Sequence, residues 1–117
     1  MLKSLAGKLP AVGLIEWLRG MFEIRYTPEA IADLSSYDSR DRRRVMDQID
    51  ACLQHEPECE TRNNKVLRPN RLAERELRID RFRVFYDIDE GKVVVKIEAI
   101  GHKRGNRLYV RGEEFQL

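Results

Sequence analysis

Two runs of β-branched and aromatic residues, joined by a short polar turn, constrain the fold of this chain more than any other stretch. The runs span residues 82–88 and 92–100, and the Asp-Glu-Gly sequence at 89–91 separates them. Such residues are typical of strands, and a polar turn with glycine between two strands is typical of a hairpin. We therefore predict an antiparallel β-hairpin whose second strand ends at Gly101.

A polar, cationic segment follows this hairpin. It carries His102, Lys103, Arg104, Arg107 and Tyr109. A titratable imidazole, fixed positive charges and a phenol at one edge of a rigid hairpin are groups that could bind and cleave RNA. The segment is therefore the first candidate for a functional site.

The residues before the hairpin predict one strand and two helices. Apolar and charged residues alternate over residues 21–26, which is typical of a half-buried strand. Thr27 and Pro28 are a favourable N-cap and first residue for a helix, and Asp38 or Ser39 is placed to cap a second helix that Pro57 ends. The apolar residues expected to be buried on the two helices are Ala30, Ile31, Leu34, Tyr37, Val45, Met46, Ile49, Cys52 and Leu53.

Two further strands are predicted between the second helix and the hairpin, at residues 65–67 and 72–79. The alternating apolar residues fall at odd-numbered positions up to Ile79 and at even-numbered positions from Phe82. A turn or bulge is therefore expected at Asp80–Arg81. The order is β-α-α-β-β-β. It predicts an α+β fold in which a small antiparallel sheet carries a helical hairpin on one face.

The length of 117 residues suits one domain. We expect residues 21–117 to form that domain and residues 1–20 to be an N-terminal extension. No apolar run is long enough for a membrane span. Cys52 and Cys59 do not form a disulfide framework, which favours a reducing cytoplasm. No HExxH, P-loop or CxxC pattern is present in the sequence, so no metal or cofactor is implied.

The charge is unevenly distributed along the chain. The net charge is +2, but residues 61–111 hold fourteen Lys or Arg against seven Asp or Glu. A basic second half suggests a polyanion or an acidic protein as partner, although a scattered, solvated surface is the alternative. The run of Arg40, Arg42, Arg43 and Arg44 opposes the dipole of the second helix, which leaves contact with an anionic partner open.

The element order and several motifs resemble the RelE/ParE superfamily of bacterial toxins. The motifs are Leu-Arg-Ile-Asp-Arg-Phe-Arg-Val-Phe-Tyr at 77–86, Val-Val-Val at 93–95, and Ile-Gly-His-Lys-Arg at 100–104 leading to Tyr109. The resemblance covers about residues 21–111. It implies a toxin of a type II toxin–antitoxin system, neutralised by a small acidic antitoxin in a hetero-oligomer. Many members are endoribonucleases that cut mRNA on the ribosome without a metal and so inhibit translation, whereas others bind DNA gyrase and catalyse nothing.

The resemblance also implies roles for individual residues. Arg83 matches an arginine that contacts the scissile phosphate, Lys103 matches a basic residue after the glycine, and Tyr109 matches an aromatic residue that orients the substrate base. His102 lies where some relatives place a histidine. The residues expected to bind RNA alongside them are Arg78, Arg81, Arg104 and Arg107.

The sequence also departs from the nuclease pattern. Glu74 and Glu76 occupy positions where nuclease members often carry lysines, so Glu76 becomes the hypothetical general base. Each assignment has a plainer alternative: Glu76 could form an ion pair with Arg78, Arg83 could pair with a glutamate, and His102 could be a loop residue without a function. Lys103, Arg104 and Arg107 could form a solvated basic loop, and Tyr109 could cap the core.

The sequence is compatible with three functions. The preferred one is a ribosome-dependent mRNA endonuclease, and the main alternative is a ParE-like inhibitor of DNA gyrase. The third is a protein that has lost toxicity and only binds its antitoxin. The nuclease hypothesis requires Arg83, His102 and Tyr109 to meet in one pocket, because cleavage needs base, acid and cations around one phosphate.

Overall fold

The computed structural model of the protein describes residues 20–117. The elements in chain order are β1 Glu23–Tyr26, α1 Pro28–Ser35, α2 Ser39–Leu53, β2 Asn64–Val66, β3 Arg75–Ile79, β4 Phe82–Asp89, β5 Val94–Arg104, β6 Arg107–Val110 and β7 Glu113–Phe115. The strands form one sheet in the order β2-β3-β4-β5-β6-β7, with β1 also beside β5. The predicted α+β fold, with two helices before a largely antiparallel sheet, is confirmed. The predicted N-terminal extension lies, apart from Gly20, outside the described residues.

Both helices begin where their capping residues predict. The Thr27 side chain accepts a hydrogen bond from the Ala30 amide at 3.1 Å, and the Asp38 side chain accepts one from the Asp41 amide at 2.8 Å. These bonds satisfy amides that the first helical turn leaves unpaired.

The main core lies between the helices and one face of the sheet, which we call the helix face. Its buried side chains include those of Leu34, Val45, Ile49, Val84 and Ile97. None of the helices in residues 20–117 is long and apolar enough to cross a membrane.

A second, smaller core lies on the opposite face of the sheet, which we call the second face. Phe85, Ala99, Leu108 and Val110 are buried there. The sheet curls around them, and an ion pair of 2.9 Å between Arg71 and Glu113 joins the β2–β3 connection to β7. The side chains that close this core are Leu67, Leu72, Ala73 and Phe115. Much of the second face is therefore covered by the chain itself.

Strand β1 is parallel to β5, with Glu23 opposite Val94 and Tyr26 opposite Ile97. All other strand pairs are antiparallel. The alternation of residues 21–26 correctly predicted a half-buried strand, but alternation carries no information about the direction of its partner.

Strand β5 contains a bulge at Glu98. Phe85 is opposite Ala99 and Tyr86 is opposite Ile97, so Glu98 has no partner in β4. The carbonyl of Glu98 instead accepts hydrogen bonds from the Thr27 hydroxyl and the Arg111 guanidinium, both at 3.2 Å. The bulge thus joins β5 to the start of α1 and to the β6–β7 turn.

Two strand boundaries differ from the prediction. Strand β5 does not end at Gly101 but continues to Arg104, because β6 pairs with residues 102–104. The strand predicted at 72–79 begins only at Arg75, since the Asn70 side chain accepts hydrogen bonds from the amides of Leu72 and Ala73 and folds these residues into a turn. Strands β6 and β7 were not predicted. The turn expected at Asp80–Arg81 is present and joins β3 to β4.

Three residues predicted to be buried on the helices are exposed. Ile31 is 54% exposed, Met46 is 42% exposed, and Cys52 is also exposed. Ala30, Leu34, Val45, Ile49 and Leu53 fill the helix side of the core without them. The apolar stripe read from the sequence was wider than the face that the sheet covers.

Candidate functional site

The sheet divides the predicted site residues between its two faces. Arg83 lies opposite Gly101 in the β4–β5 pair, whereas Phe82 lies opposite His102. Since neighbouring residues of a strand point to opposite faces, Arg83 lies on the second face and His102 on the helix face. The prediction that Arg83, His102 and Tyr109 meet in one pocket is therefore wrong.

His102 is part of an aromatic cluster at one end of the helix face. Its Nδ1 atom lies 2.8 Å from the Tyr37 hydroxyl, and its ring is stacked on Tyr109 with ring centres 5.9 Å apart. Tyr37 also meets Phe82 edge to face at 5.0 Å. We define the aromatic cluster as Tyr37, Phe82, His102 and Tyr109. Tyr37, His102 and Tyr109 keep part of their surface exposed.

Two arginines flank the aromatic cluster. The Arg81 guanidinium lies 4.4 Å from the centre of the Phe82 ring, and that of Arg104 lies 5.7 Å from the centre of the Tyr109 ring. Burial lowers the pKa of His102, and the positive charges of Arg81 and Arg104 lower it further. A lowered pKa favours the neutral form of the imidazole, which is the form that accepts a proton.

On the second face, Arg83 is already engaged by the protein. Its Nη1 atom donates to the carbonyl oxygens of Asp80 and Phe82 at 2.8 and 2.9 Å, and its side chain is only 13% exposed. Its Nε atom lies 4.0 Å from a Glu76 oxygen. Burial lowers the pKa of Arg83, Glu76 opposes this effect and Arg78 adds to it. The predicted orientation of Arg83, away from Phe82 and Val84, is confirmed.

Glu76 forms an ion pair with Arg78 at 3.2 Å, as expected if it has a structural role and is not the general base. Its side chain is only 9% exposed. A buried carboxylate that lies between two guanidinium groups leaves little room for a substrate hydroxyl to reach it. This geometry does not favour Glu76 as a general base.

The remaining predicted residues are spread over both faces. Lys103 lies opposite Leu108, a member of the second core, and so belongs to the same face as Arg83. Arg107 is exposed and lies 3.8 Å from Glu114, and hydrogen bonding to Tyr109 raises the pKa of Arg107. Arg81 pairs with Asp41 at 3.0 Å.

Tyr37 is a site residue that sequence reasoning missed, since it was assigned only to the core. It lies 65 residues before His102 in the chain, and no local pattern connects the two. Within residues 20–117 no group of three or more His, Cys, Asp or Glu side chains is arranged to hold a metal ion.

The family is shown by the sequence itself. The family model described as the ParE toxin of type II toxin–antitoxin systems, parDE, matches residues 24–107. The chain therefore belongs to this toxin family, within the RelE/ParE superfamily that the motifs indicated.

A solved structure agrees with this assignment. The chain is similar to a chain of the toxin–antitoxin complex RelBE2 from Mycobacterium tuberculosis, with 26% identity and a TM-score of 0.62. The similarity covers 71% of this chain and 92% of that one. No curated protein sequence matches the chain.

Proposed function

We propose that this toxin acts by binding a target protein and not by cleaving RNA, with DNA gyrase as the target that the resemblance to ParE toxins implies. The observation that carries the proposal is the placement of Arg83 and His102 on opposite faces of the sheet. Metal-free RNA cleavage needs a proton acceptor, a proton donor and cations around one phosphate. The guanidinium proposed to bind phosphate and the imidazole leave the sheet from opposite faces, which disfavours their acting together on one phosphate.

The state of Arg83 also favours a toxin without catalysis. Two carbonyl oxygens and the neighbouring Glu76 occupy its guanidinium. A carboxylate next to the guanidinium offsets the charge that would stabilise a phosphorane.

A second candidate, the ribosome-dependent mRNA endonuclease, is favoured by the aromatic cluster. The neutral His102 could accept the 2′-hydroxyl proton, and Tyr109 could stack on a base. The cations for this reaction would be Arg81 and Arg104, with Arg107 binding the RNA farther along, whereas Lys103 lies on the opposite face of the sheet. In this candidate Arg78, Arg83 and Glu76 take no part in the chemistry.

The partner that neutralises the toxin in either case is a cognate antitoxin, and a similar chain has been solved in a toxin–antitoxin complex. We propose that the antitoxin is acidic, because the second half of this chain is basic. The two would form a cytoplasmic hetero-oligomer.

The two candidates are separated by measuring both activities of the purified full chain. Binding without cleavage predicts that the toxin inhibits supercoiling by gyrase and leaves mRNA intact in a ribosome-containing translation extract. The His102→Gln/Tyr109→Phe double variant should likewise leave mRNA intact. If the wild-type chain cuts mRNA in the extract and this double variant does not, the proposal is overturned in favour of the endonuclease.

A further inference from the structure

Six arginines gather around two adjoining concavities on the outer side of α2 and the β3–β4 hairpin. The concavities have volumes of about 400 and 430 Å³ and share Arg44. We call this surface the arginine face; its arginines are Arg40, Arg43, Arg44, Arg62, Arg78 and Arg83. The acidic residues that line the two concavities are Asp47 and Asp80. The surface therefore carries a strong excess of positive charge.

The strand part of this surface is unfavourable for the folded protein by itself. Arg78 and Arg83 are directly opposite each other in the β3–β4 pair, where like charges repel. Arg83 Nε is buried and makes no hydrogen bond within the described residues. Glu76 offsets part of this charge from behind, but it is one carboxylate against two guanidinium groups. An anion bound by Arg78, whose side chain is 41% exposed, would relieve the remaining repulsion, while Arg83 stays held by its two carbonyl partners.

The helical part of the surface is unfavourable in the same way. Arg40, Arg43 and Arg44 lie in the first turns of α2, at the positive end of its dipole. Arg44 is paired with Asp80 at 3.1 Å. Helix stability does not explain three arginines at this end, whereas the binding of an anionic partner does.

We propose that the arginine face binds the phosphodiester backbone of double-stranded DNA. The proposal rests on the proposed function and deepens it, because gyrase works on duplex DNA and a toxin bound to gyrase would meet that DNA. Guanidinium groups match phosphate oxygens with two parallel hydrogen bonds, and here all the cations are arginines.

The composition of the surface selects duplex DNA among anionic partners. Ile79 is the apolar residue lining the larger concavity, and the rest of its lining is polar. Protein–protein interfaces are usually centred on apolar and aromatic side chains, whereas DNA interfaces are polar and strongly positive. Neither concavity has an aromatic residue in its lining. This part of the described structure therefore offers no aromatic ring on which the bases of a single strand could stack.

The test measures the anisotropy of a fluorescent DNA duplex of about 20 base pairs titrated with the full chain at several salt concentrations. The Arg44→Gln/Arg62→Gln variant removes two exposed arginines of the face. The control Arg25→Gln/Arg68→Gln removes two exposed arginines elsewhere and changes the net charge equally. We expect affinity to fall about tenfold in the first variant and its salt slope to become shallower by about two, since each phosphate contact contributes about 0.9 to that slope. The control should stay within about twofold of the wild type.

Four results would overturn the inference: no binding of the duplex, equal losses in the two variants, tighter binding of a single strand, or tighter binding of a polyglutamate peptide of similar charge. The last would assign the face to an acidic protein. The gyrase assay on the same proteins separates this inference from the proposed function. Inhibition of gyrase without duplex binding rejects only the DNA interface, whereas duplex binding without inhibition of gyrase rejects only the target.

Discussion

Two carboxyl groups, those of Glu98 and Asp87, lie side by side on the second face of the sheet. Burial is the main cause that raises the pKa of Glu98 to about 7, and a hydrogen bond with Asp87 and its negative charge act in the same direction. Lys96, at 3.7 Å from Glu98, opposes the shift. Glu98 is therefore partly protonated at neutral pH. No sequence pattern predicts this, because Asp87 becomes its neighbour only through the pairing of β4 with β5.

We predict that Glu98→Gln stabilises the protein at pH 7.5 by about 1 kcal/mol and has less effect at pH 5. The folded protein holds the Glu98 proton up to about pH 7, whereas the unfolded chain loses it near the ordinary glutamate pKa of 4.5. Wild-type stability should therefore fall as the pH rises between these values, and the variant should lack this loss. Urea unfolding at several pH values measures it.

The Asp87→Asn variant is the companion measurement. Removing the negative charge should bring the Glu98 pKa closer to its ordinary value and make the loss of stability with pH smaller. If the pH dependence of Asp87→Asn equals that of the wild type, the two carboxyl groups are not coupled in the way described.

A second prediction concerns Tyr37, whose hydroxyl is 2.8 Å from His102 Nδ1. Tyr37→Phe keeps the ring against Phe82 and removes only this hydrogen bond. The free energy of unfolding should fall by about 1 kcal/mol in urea denaturation. A change close to zero would mean that water replaces the hydroxyl and that Tyr37 does not hold the imidazole in place.

At the scale of secondary structure, the elements with local signals were predictable and those without them were not. Thr27 and Asp38 mark both helix starts, and the phase change after Ile79 marks the β3–β4 turn. The short strands β6 and β7 have no such signal. Their burial depends on Phe85 and Ala99, which lie in other strands. The extension of β5 beyond Gly101 likewise depends on β6.

Gly101 lies where the backbone of β6 comes close to that of β5, and we predict that Gly101→Ala destabilises the protein by about 3 kcal/mol. A Cβ atom there would lie 2.7 Å from Val110 Cγ2 and clash with the Tyr109 carbonyl oxygen, which belongs to the backbone and cannot turn away. Thermal unfolding measures the effect. The control Gly91→Ala, whose Cβ would meet only Asp89 Oδ1 at 3.5 Å, should change stability little.

For the whole molecule, the second core means that residues from both ends of the sheet are needed to close it. We predict that Leu108→Ala lowers the free energy of unfolding by about 3 kcal/mol, because it leaves a cavity among Phe85, Ala99 and Val110. Chemical denaturation is the measurement. The control Val66→Ala, at a residue that is 54% exposed, should stay within about 0.5 kcal/mol of the wild type. Equal effects in the two variants would show that the second core is not close-packed.

The sequence by itself determined the family, the order of the helices and central strands, and the face of β4 on which Arg83 lies. These follow from motifs, caps and alternation, all of which are local along the chain. Only the tertiary structure decided which predicted site residues meet, because this depends on strand register. Arg83 is opposite Gly101 and not His102, and a shift of one residue in that pairing would exchange the faces. Register is set by packing on both faces and by the bulge at Glu98, which no single stretch of sequence encodes.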